Sequence, residues 1–462
     1  MSFNKKTKSL LKDITKTLLL ILPVEKRFPK IFWNTKIFLN KAQWWSKSNI
    51  QNWQFKKTKE IIEYAYNNVP GYNQLFRENN VIPLDYKELT DIIKFPTITK
   101  EIIRDNLKDF TSRKIPKYKL VYMTTGGSTG IPFGFYNTIK NYYIERAFIY
   151  TGWERTSWKL AERAAVMRGS FIGSEEKFYK YDRFNNELLL SSYYLNENTY
   201  HNYLSKILDF NPKHIQAYPS SAMLFSKYII GNDDIGKINC KTLFLGSENL
   251  YDWQKKLIKK AFPESSIIHW YGHAEKVILA DYCESNEQFH IWPFYGLTEI
   301  LDKNGKEVSQ NETGELVGTS FWNYATPFIR YRTKDFAKKG EEYCKNCKRQ
   351  FKLIEQIDGR LQEFIISSNG RFISMTSINM HDDIFDKIKQ FQFYQDTPGL
   401  VTFKYIPKIT FSNDDGIDIY NRIKLKLVND FELNIMEVEN IEIKKSGKYS
   451  FLEQKLKLEF GD

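Results

Sequence analysis

Cysteine is scarce in this chain, with 4 in 462 residues. That is too few for a secreted disulfide framework, and it points to a reducing, cytoplasmic compartment. Long apolar runs are also missing. No stretch reaches the roughly 18 residues a bilayer-spanning helix needs, and the best candidate, 17–24, is broken by Pro23 and flanked by charge. A cleaved leader is not expected either. Lys5, Lys6 and Lys8 precede that short run, but Glu25, Lys26 and Arg27 follow it without a small-residue cleavage site. The net charge is +13, yet no basic block is present, because the lysines are spread along the whole chain. A solvated basic surface explains such a pattern better than a nucleic-acid partner does. One basic feature stays open. Leu10, Leu11, Ile14, Leu18 and Leu19 share a helical face opposite Lys8, Lys12 and Lys16, which either packs on the body or lies on the inner face of a membrane.

What is present describes a folded protein: 42% hydrophobic and 16% aromatic residues against 27% charged. The length exceeds one ordinary core, so a large domain and a smaller one are expected. Residues 53–110 read as helices, interrupted at Pro70-Gly71 and Pro96. Between 213 and 272 the pattern becomes strands alternating with helices: strands at 215–218, 242–245 and 267–271, helices at 222–230 and 250–262. On the second helix Trp253, Leu257, Ile258, Ala261 and Phe262 make one apolar stripe. Successive βα units imply an α/β fold with a parallel sheet whose ligands collect at the carboxyl ends of the strands. After 359 shorter alternating runs, with strands at 401–405 and 441–443 and a helix at 417–431, suggest a small mobile α+β domain. The division expected is 1–52 as a basic helical segment, 53–358 as the large domain and 359–462 as the lid.

The most informative stretch is Thr124-Thr125-Gly126-Gly127-Ser128-Thr129-Gly130-Ile131-Pro132. Its glycines permit close backbone approach, and its hydroxyls and N–H groups can donate to phosphate oxygens. No Lys-Ser/Thr follows the last glycine, which excludes the Walker type of phosphate loop. An ordinary Gly-rich turn remains the competing reading.

With that loop the chain resembles the adenylate-forming superfamily, and within it the phenylacetate-CoA ligase family and its capsular-polysaccharide (CapK-like) branch. The resemblance is carried by Thr125 to Pro132, by Tyr271-Gly272-His273-Ala274-Glu275, by Arg330-Tyr331-Arg332-Thr333-Lys334-Asp335, by Gly359-Arg360 and by Ser446-Gly447-Lys448, in the family order. It implies ATP and Mg²⁺ as cofactors, with coenzyme A as one acceptor.

The resemblance also implies roles. Glu275 would hold Mg²⁺, as a hard carboxylate suits; its rival reading is a surface glutamate. Tyr271, with Gly272, would face adenine, unless it is a core residue. Asp335 would accept from the ribose hydroxyls, or else pair with Arg332 or Lys334. Arg360 would reach ribose or phosphate, or form a plain interdomain pair. Lys448, beside Lys444 and Lys445, would stabilise charge developing between carboxylate and α-phosphate. His273 would touch substrate or serve as a structural histidine. Gly246, Ser247 and Glu248 would line the adenine and acyl pocket, or cap the following helix. The family's Thr or Ser before the metal glutamate is Ala274 here, and its acidic hinge residue is Gln362 followed by Glu363.

Cys344-Lys345-Asn346-Cys347, with Cys283 and His290, supplies ligands of the kind tetrahedral Zn²⁺ prefers. The family resembled often has such residues at matching places; a redox pair and unrelated thiols are the rivals. The expected reaction activates a small carboxylic acid as an acyl-AMP and passes it to an amine, hydroxyl or thiol, in cell-surface polysaccharide biosynthesis. Acyl-CoA formation and a noncatalytic nucleotide-binding scaffold are the alternatives.

Overall fold

A computed structural model describes residues 23–124, 133–168, 176–192, 194–360, 364–368, 372–374, 387–427, 431–442 and 450–456. The amphipathic segment around 10–19 lies outside them. Among the described residues no helix is long and apolar enough to cross a membrane.

Helices Lys30–Ala42, Lys47–Asn68, Pro70–Glu78 and Lys100–Asp105 form the front of the molecule. Their starts are written locally. The Ser46 side chain accepts from the Asn49 amide, Thr99 accepts from the Ile102 amide, and Pro70 opens its helix where a missing N–H costs nothing. Gly71 is required by packing, since a Cβ there would come within 2.8 Å of the Phe110 ring.

The strands are β1 Val121–Thr124, β2 Gly134–Asn137, β3 Ala164–Met167, β4 Tyr179–Asp182, β5 Glu187–Leu190, β6 His214–Ala217, β7 Thr242–Gly246, β8 Ser266–Gly272, β9 Leu279–Tyr282 and β10 Phe289–Ile291. They continue with β11 Gly296–Leu301, β12 Thr313–Ser320, β13 Tyr331–Lys339, β14 Leu353–Arg360, β15 Phe364–Ile366, β16 Phe372–Ser374, β17 Ile388–Thr397, β18 Leu400–Pro407, β19 Glu432–Glu437 and β20 Leu452–Gln454. One 12-stranded sheet runs in the order β11-β12-β13-β14-β10-β9-β8-β7-β6-β3-β5-β4. Its β5-β3-β6-β7-β8 part is parallel, as the alternation of strands and helices required. Helices Tyr200–Phe210, Pro219–Gly231 and Asp252–Ala261 make the crossovers.

From β8 to β11 every pairing turns antiparallel. The sequence reading gave no strands to this half, and burial is the reason. Seven of the eight residues of β12 are buried, so the polar and apolar alternation that marks a one-sided strand is missing.

The C-terminal part is a separate sheet ordered β19-β18-β17-β20 with helix Asn413–Lys426. That helix starts and stops earlier than its apolar pattern suggested. Ser412 and Asp415 form a capping box, and the chain is back in a strand by Glu432. Ile441 and Glu442 are irregular rather than extended in a sheet; the neighbour of β18 is β19 instead. The stripe on helix Asp252–Ala261 divides between two cores. Ile258 and Ala261 face the large sheet, whereas Trp253 packs edge-on against Phe451 and near Phe391 of the C-terminal part. Lys227 adds bonds to the Ile388 and Lys389 carbonyls.

The front helices are fastened to the antiparallel half by Arg330. Its guanidinium donates to both oxygens of Glu299, at 2.8 and 3.1 Å, and to the carbonyls of Ile93 and Phe95. Both charged groups are buried. Truncating one member leaves the other charged and unpaired, so Arg330→Ala is expected to cost about 3–5 kcal/mol. The double replacement Arg330→Met with Glu299→Met should cost much less, and urea unfolding of the three proteins measures the difference.

Candidate active site

As β8 ends, its side chains alternate across the sheet, and Tyr271 points toward β13. Its hydroxyl donates to Asp335 Oδ2 at 2.7 Å. Asp335 is buried, and its amide donates to Thr333 Oγ1. Arg332 pairs with Glu315 and Lys334 with Glu101, so both basic neighbours of Asp335 in the sequence are engaged with other carboxylates.

After Gly272 the chain turns and buries Glu275, which is 8% exposed and therefore no surface glutamate. Its Oε1 accepts from the Tyr331 hydroxyl at 2.9 Å, and its Oε2 lies 3.0 Å from His273 Nδ1. The Ile278 amide donates to His273 Nε2 at 3.3 Å. That bond makes Nε2 the acceptor and assigns the proton to Nδ1, where it faces Glu275. Burial by itself would raise the Glu275 carboxyl, but the bonds from His273, its own amide and Tyr331 outweigh it and hold the group down at about 2. Glu275 is thus a carboxylate at neutral pH.

Tyr331 is the hub. Its ring stacks parallel to Phe133 and to His273, each with centroids 6.5 Å apart, and meets Phe328 edge-on at 5.0 Å. Phe133 begins the described chain just before β2, whose Gly134 is registered with Thr124 of β1. The described residues flanking the Gly-rich loop are thus held near Tyr331, the residue that donates to Glu275. Thr125, Gly126, Gly127, Ser128, Thr129 and Gly130 themselves lie outside the described residues, as do Gln362, Ser446, Gly447 and Lys448, and for Thr124 and Arg360 only the backbone is described. The Arg360 backbone is registered with Asp335.

Gly246, Ser247 and Glu248 follow β7. Gly246 lies flat against Trp270, whose Nε1 would be 2.5 Å from a Cβ there. Ser247 has a left-handed backbone, φ +68°. Glu248 does not cap the helix that follows it. Its carboxylate accepts from the amide and hydroxyl of Ser220, at 3.0 and 3.1 Å, capping helix Pro219–Gly231 two elements earlier in the chain. Helix Asp252–Ala261 is capped by Gln254 reaching back to the Tyr251 amide.

Away from these residues Cys283, His290, Cys344 and Cys347 gather, with their ligand atoms all within 4.8 Å of one another. Cys283 Sγ is 3.8 Å from Cys344 Sγ, and Cys347 Sγ is 3.5 Å from His290 Nε2. Three thiols and an imidazole at this spacing match the donor set of a tetrahedral zinc site. Arg349, two residues past the knuckle, pairs with Glu284 at 2.6 Å and donates to Gln43 beyond the first helix.

The motif 330–335 carries no local sign that Tyr331 would bond Glu275, and nothing in the sequence marks Trp270 as the neighbour of Gly246. Lys334 adopts φ +60° and the β12-β13 pairing slips a register between Glu315 and Val317. Which residues of 330–335 face Glu275 and which face Tyr271 is therefore not given by strand alternation.

Comparison with known proteins finds relatives in sequence and in fold. Residues 365–455 match a family described as the CapK C-terminal domain. "Protein CapK" of Staphylococcus aureus is 26% identical over 402 residues, 83% of this chain and 83% of that protein. The phenylacetate-coenzyme A ligase of Escherichia coli (strain K12) is 27% identical over 346 residues, 72% of this chain and 76% of that one. Among solved structures, 2-hydroxyisobutyryl-CoA ligase in the postadenylation state superposes with a TM-score of 0.73 at 14% identity, covering 90% of this chain and 92% of that one. The same protein in its thioesterification state gives 0.60.

The depressed Glu275 carboxyl links this site to pH. A group lowered from 4.5 to about 2 contributes stability that is in place above pH 4.5 and lost as the pH falls toward 2. Glu275→Gln should flatten that acid limb in thermal unfolding followed between pH 2 and 7. Tyr331→Phe removes one of the bonds and is expected to cost about 1–3 kcal/mol at pH 7.

Proposed function

We propose that this chain, an adenylate-forming ligase related to CapK and to phenylacetate-coenzyme A ligases, activates a carboxylic acid with ATP and transfers the acyl group to an acceptor in cell-surface polysaccharide assembly. The observation that carries the proposal is the pairing of two sequence-remote carboxylates, Glu275 and Asp335, with the hydroxyls of Tyr331 and Tyr271 at the carboxyl end of β8. Parallel α/β sheets bind ligands at that edge.

The acid's carboxylate attacks the α-phosphate, the acyl–oxygen–phosphorus bond forms, and pyrophosphate leaves with its electron pair. Glu275, ionised and fixed by His273 and Tyr331, offers the remaining lone pairs of its oxygens to Mg²⁺. The ion when bound neutralises charge on the phosphates. His273, with both ring nitrogens engaged, positions Glu275 instead of touching substrate. Asp335, oriented by Tyr271, accepts from the ribose hydroxyls. Ser128 and its loop hold phosphate, and Lys448 adds a cation during adenylation. An amine, hydroxyl or thiol then displaces AMP from the acyl carbon. An amine or hydroxyl of a sugar is the proposed acceptor, as the resemblance to a capsular-polysaccharide branch implies, with coenzyme A as the rival.

Acid-dependent release of pyrophosphate and trapping of the acyl group by hydroxylamine test the first step. Glu275→Gln should lower the rate roughly a hundredfold, and Asp335→Asn should raise KM for ATP about tenfold. A folded wild-type protein that releases no pyrophosphate with any acid refutes the reading. Comparing coenzyme A with amino sugars as stimulants of turnover separates the two acceptors.

The cysteine and histidine cluster belongs to the same proposal as a structural zinc site. It would fasten the β9-β10 turn to the segment joining β13 and β14, a contact across some sixty residues of chain. Elemental analysis should find one zinc per chain, and Cys347→Ser should lower both the zinc content and the melting temperature.

A further inference from the structure

From Phe110 to Ile144 the chain carries Arg113, Lys114, Lys117, Lys119 and Lys140 and no acidic residue. This stretch is the approach to β1, the β1-β2 hairpin and the first turn of helix Ile139–Trp153. Register brings its two ends together. Val121 pairs with Asn137, so the turn Lys117–Lys119 before that pair and Ile139 and Lys140 after it leave the hairpin at the same end. Large apolar side chains lie open to solvent there: Tyr118 is 83% exposed, Ile139 61% and Tyr122 57%, with Val121 exposed as well.

The exposed rings are held in place. Tyr122 lies across Gly134 of the facing strand, where a Cβ would collide with the tyrosine hydroxyl, and it meets Tyr136 at 5.4 Å. Phe135, between Gly134 and Tyr136, is buried in the core instead. The hairpin thus turns one face inward and presents tyrosines on the other. The Lys119 ammonium stands 5.7 Å from the centre of the Tyr118 ring. Among the described residues no carboxylate pairs with Arg113, Lys114, Lys117 or Lys119. The acids nearby are engaged elsewhere. Glu60, which lies near Lys140, is bound by Lys57 and the Tyr324 hydroxyl, and Glu145 pairs with Lys276.

We infer that this end of the hairpin docks on an anionic lipid surface. Cations without carboxylate partners supply the attraction to acidic headgroups, and tyrosines with aliphatic neighbours suit the boundary between headgroups and acyl chains. Each signal alone holds a protein weakly, and the two together hold it stably. Charge complementarity argues against the nearer occupants. A second copy would bring the same cations face to face, and the segment 1–22 carries Lys5, Lys6, Lys8, Lys12 and Lys16 against Asp13 alone. A single-stranded nucleic acid would use the cations and the rings but leave Val121 and Ile139 without a role. The inference is independent of the adenylate-forming reading and goes beyond it: β1 and β2, which flank the Gly-rich loop, would be held at the lipid surface.

Sedimentation of the full-length protein with vesicles, in the absence of ATP, tests the contact. The wild type should bind vesicles of phosphatidylglycerol and phosphatidylcholine, ignore phosphatidylcholine alone, and come off at about 1 M salt, where the screening length falls to about 3 Å. Lys117→Glu combined with Lys119→Glu should lower the partition coefficient at least about tenfold. Tyr118→Ser combined with Ile139→Ser leaves the charge alone and should lower it several-fold, which separates insertion at the interface from plain ion attraction. All four side chains are exposed, so both variants should unfold in urea as the wild type does. A wild type that ignores the acidic vesicles overturns the inference. So does unchanged binding by the doubly charge-reversed protein, which would assign the contact to residues 10–19. A single-stranded oligonucleotide bound more tightly than the vesicles, and lost in the same variant, overturns it in favour of nucleic acid. Pyrophosphate release reports the ATP chemistry separately, so failure here leaves that reading standing.

Discussion

Burying two carboxylates, Glu275 and Asp335, is the constraint on which this molecule is built. Glu275 and Asp335 both sit below a tenth exposed, and a polar group buried there is costly unless donors are aimed at it. The donors come from the other carboxylate's stretch of chain: Tyr331, four residues before Asp335, bonds Glu275, and Tyr271, four before Glu275, bonds Asp335. This exchange ties β8, the last parallel strand, to β13, deep in the antiparallel half. Hydroxyl donors suit the nucleotide and cation role proposed for these carboxylates, because they fix them without bringing an opposite charge as an Arg or Lys would.

The change of strand direction at β8 follows from the same demand. A purely parallel sheet would need a helix after β8 to return the chain. Instead the turn at 273–276 buries Glu275 and Lys276, the latter paired with Glu145, and leads at once into β9. The two faces at this edge then differ. Tyr271 looks toward Asp335 and the aromatic stack of Tyr331, whereas Trp270 looks toward Gly246 and Arg168. One strand end thus supplies two chemically distinct environments, one on each face of the sheet.

Much of the fold was legible because it is local. The βα alternation of 213–272 follows from apolar periodicity, whereas the start of the last helix is set by the Ser412 and Asp415 capping box, which the apolar pattern alone does not show. The residue types of the site were legible too, since Tyr271, Glu275 and Asp335 stand in short recognisable segments, and Cys344 and Cys347 announce a knuckle by spacing alone. The antiparallel half was not legible, because strands buried on both faces lose the alternation by which a strand is read. Glu248 is a further case: its neighbours suggest a cap for the next helix, but the sheet brings Ser220 of an earlier one within reach.

The sequence by itself determined the parallel βα units and which side chains with the necessary chemistry are available, because apolar periodicity and ligand type act over a few residues. Only the tertiary structure decided which of those side chains meet. Pairing Tyr331 with Glu275, Tyr271 with Asp335, and Arg168 with the Trp270 ring depends on strand order and register, and on a slip at Glu315 and Val317. Those quantities are fixed by packing across more than fifty residues of chain, a range over which no local pattern carries information.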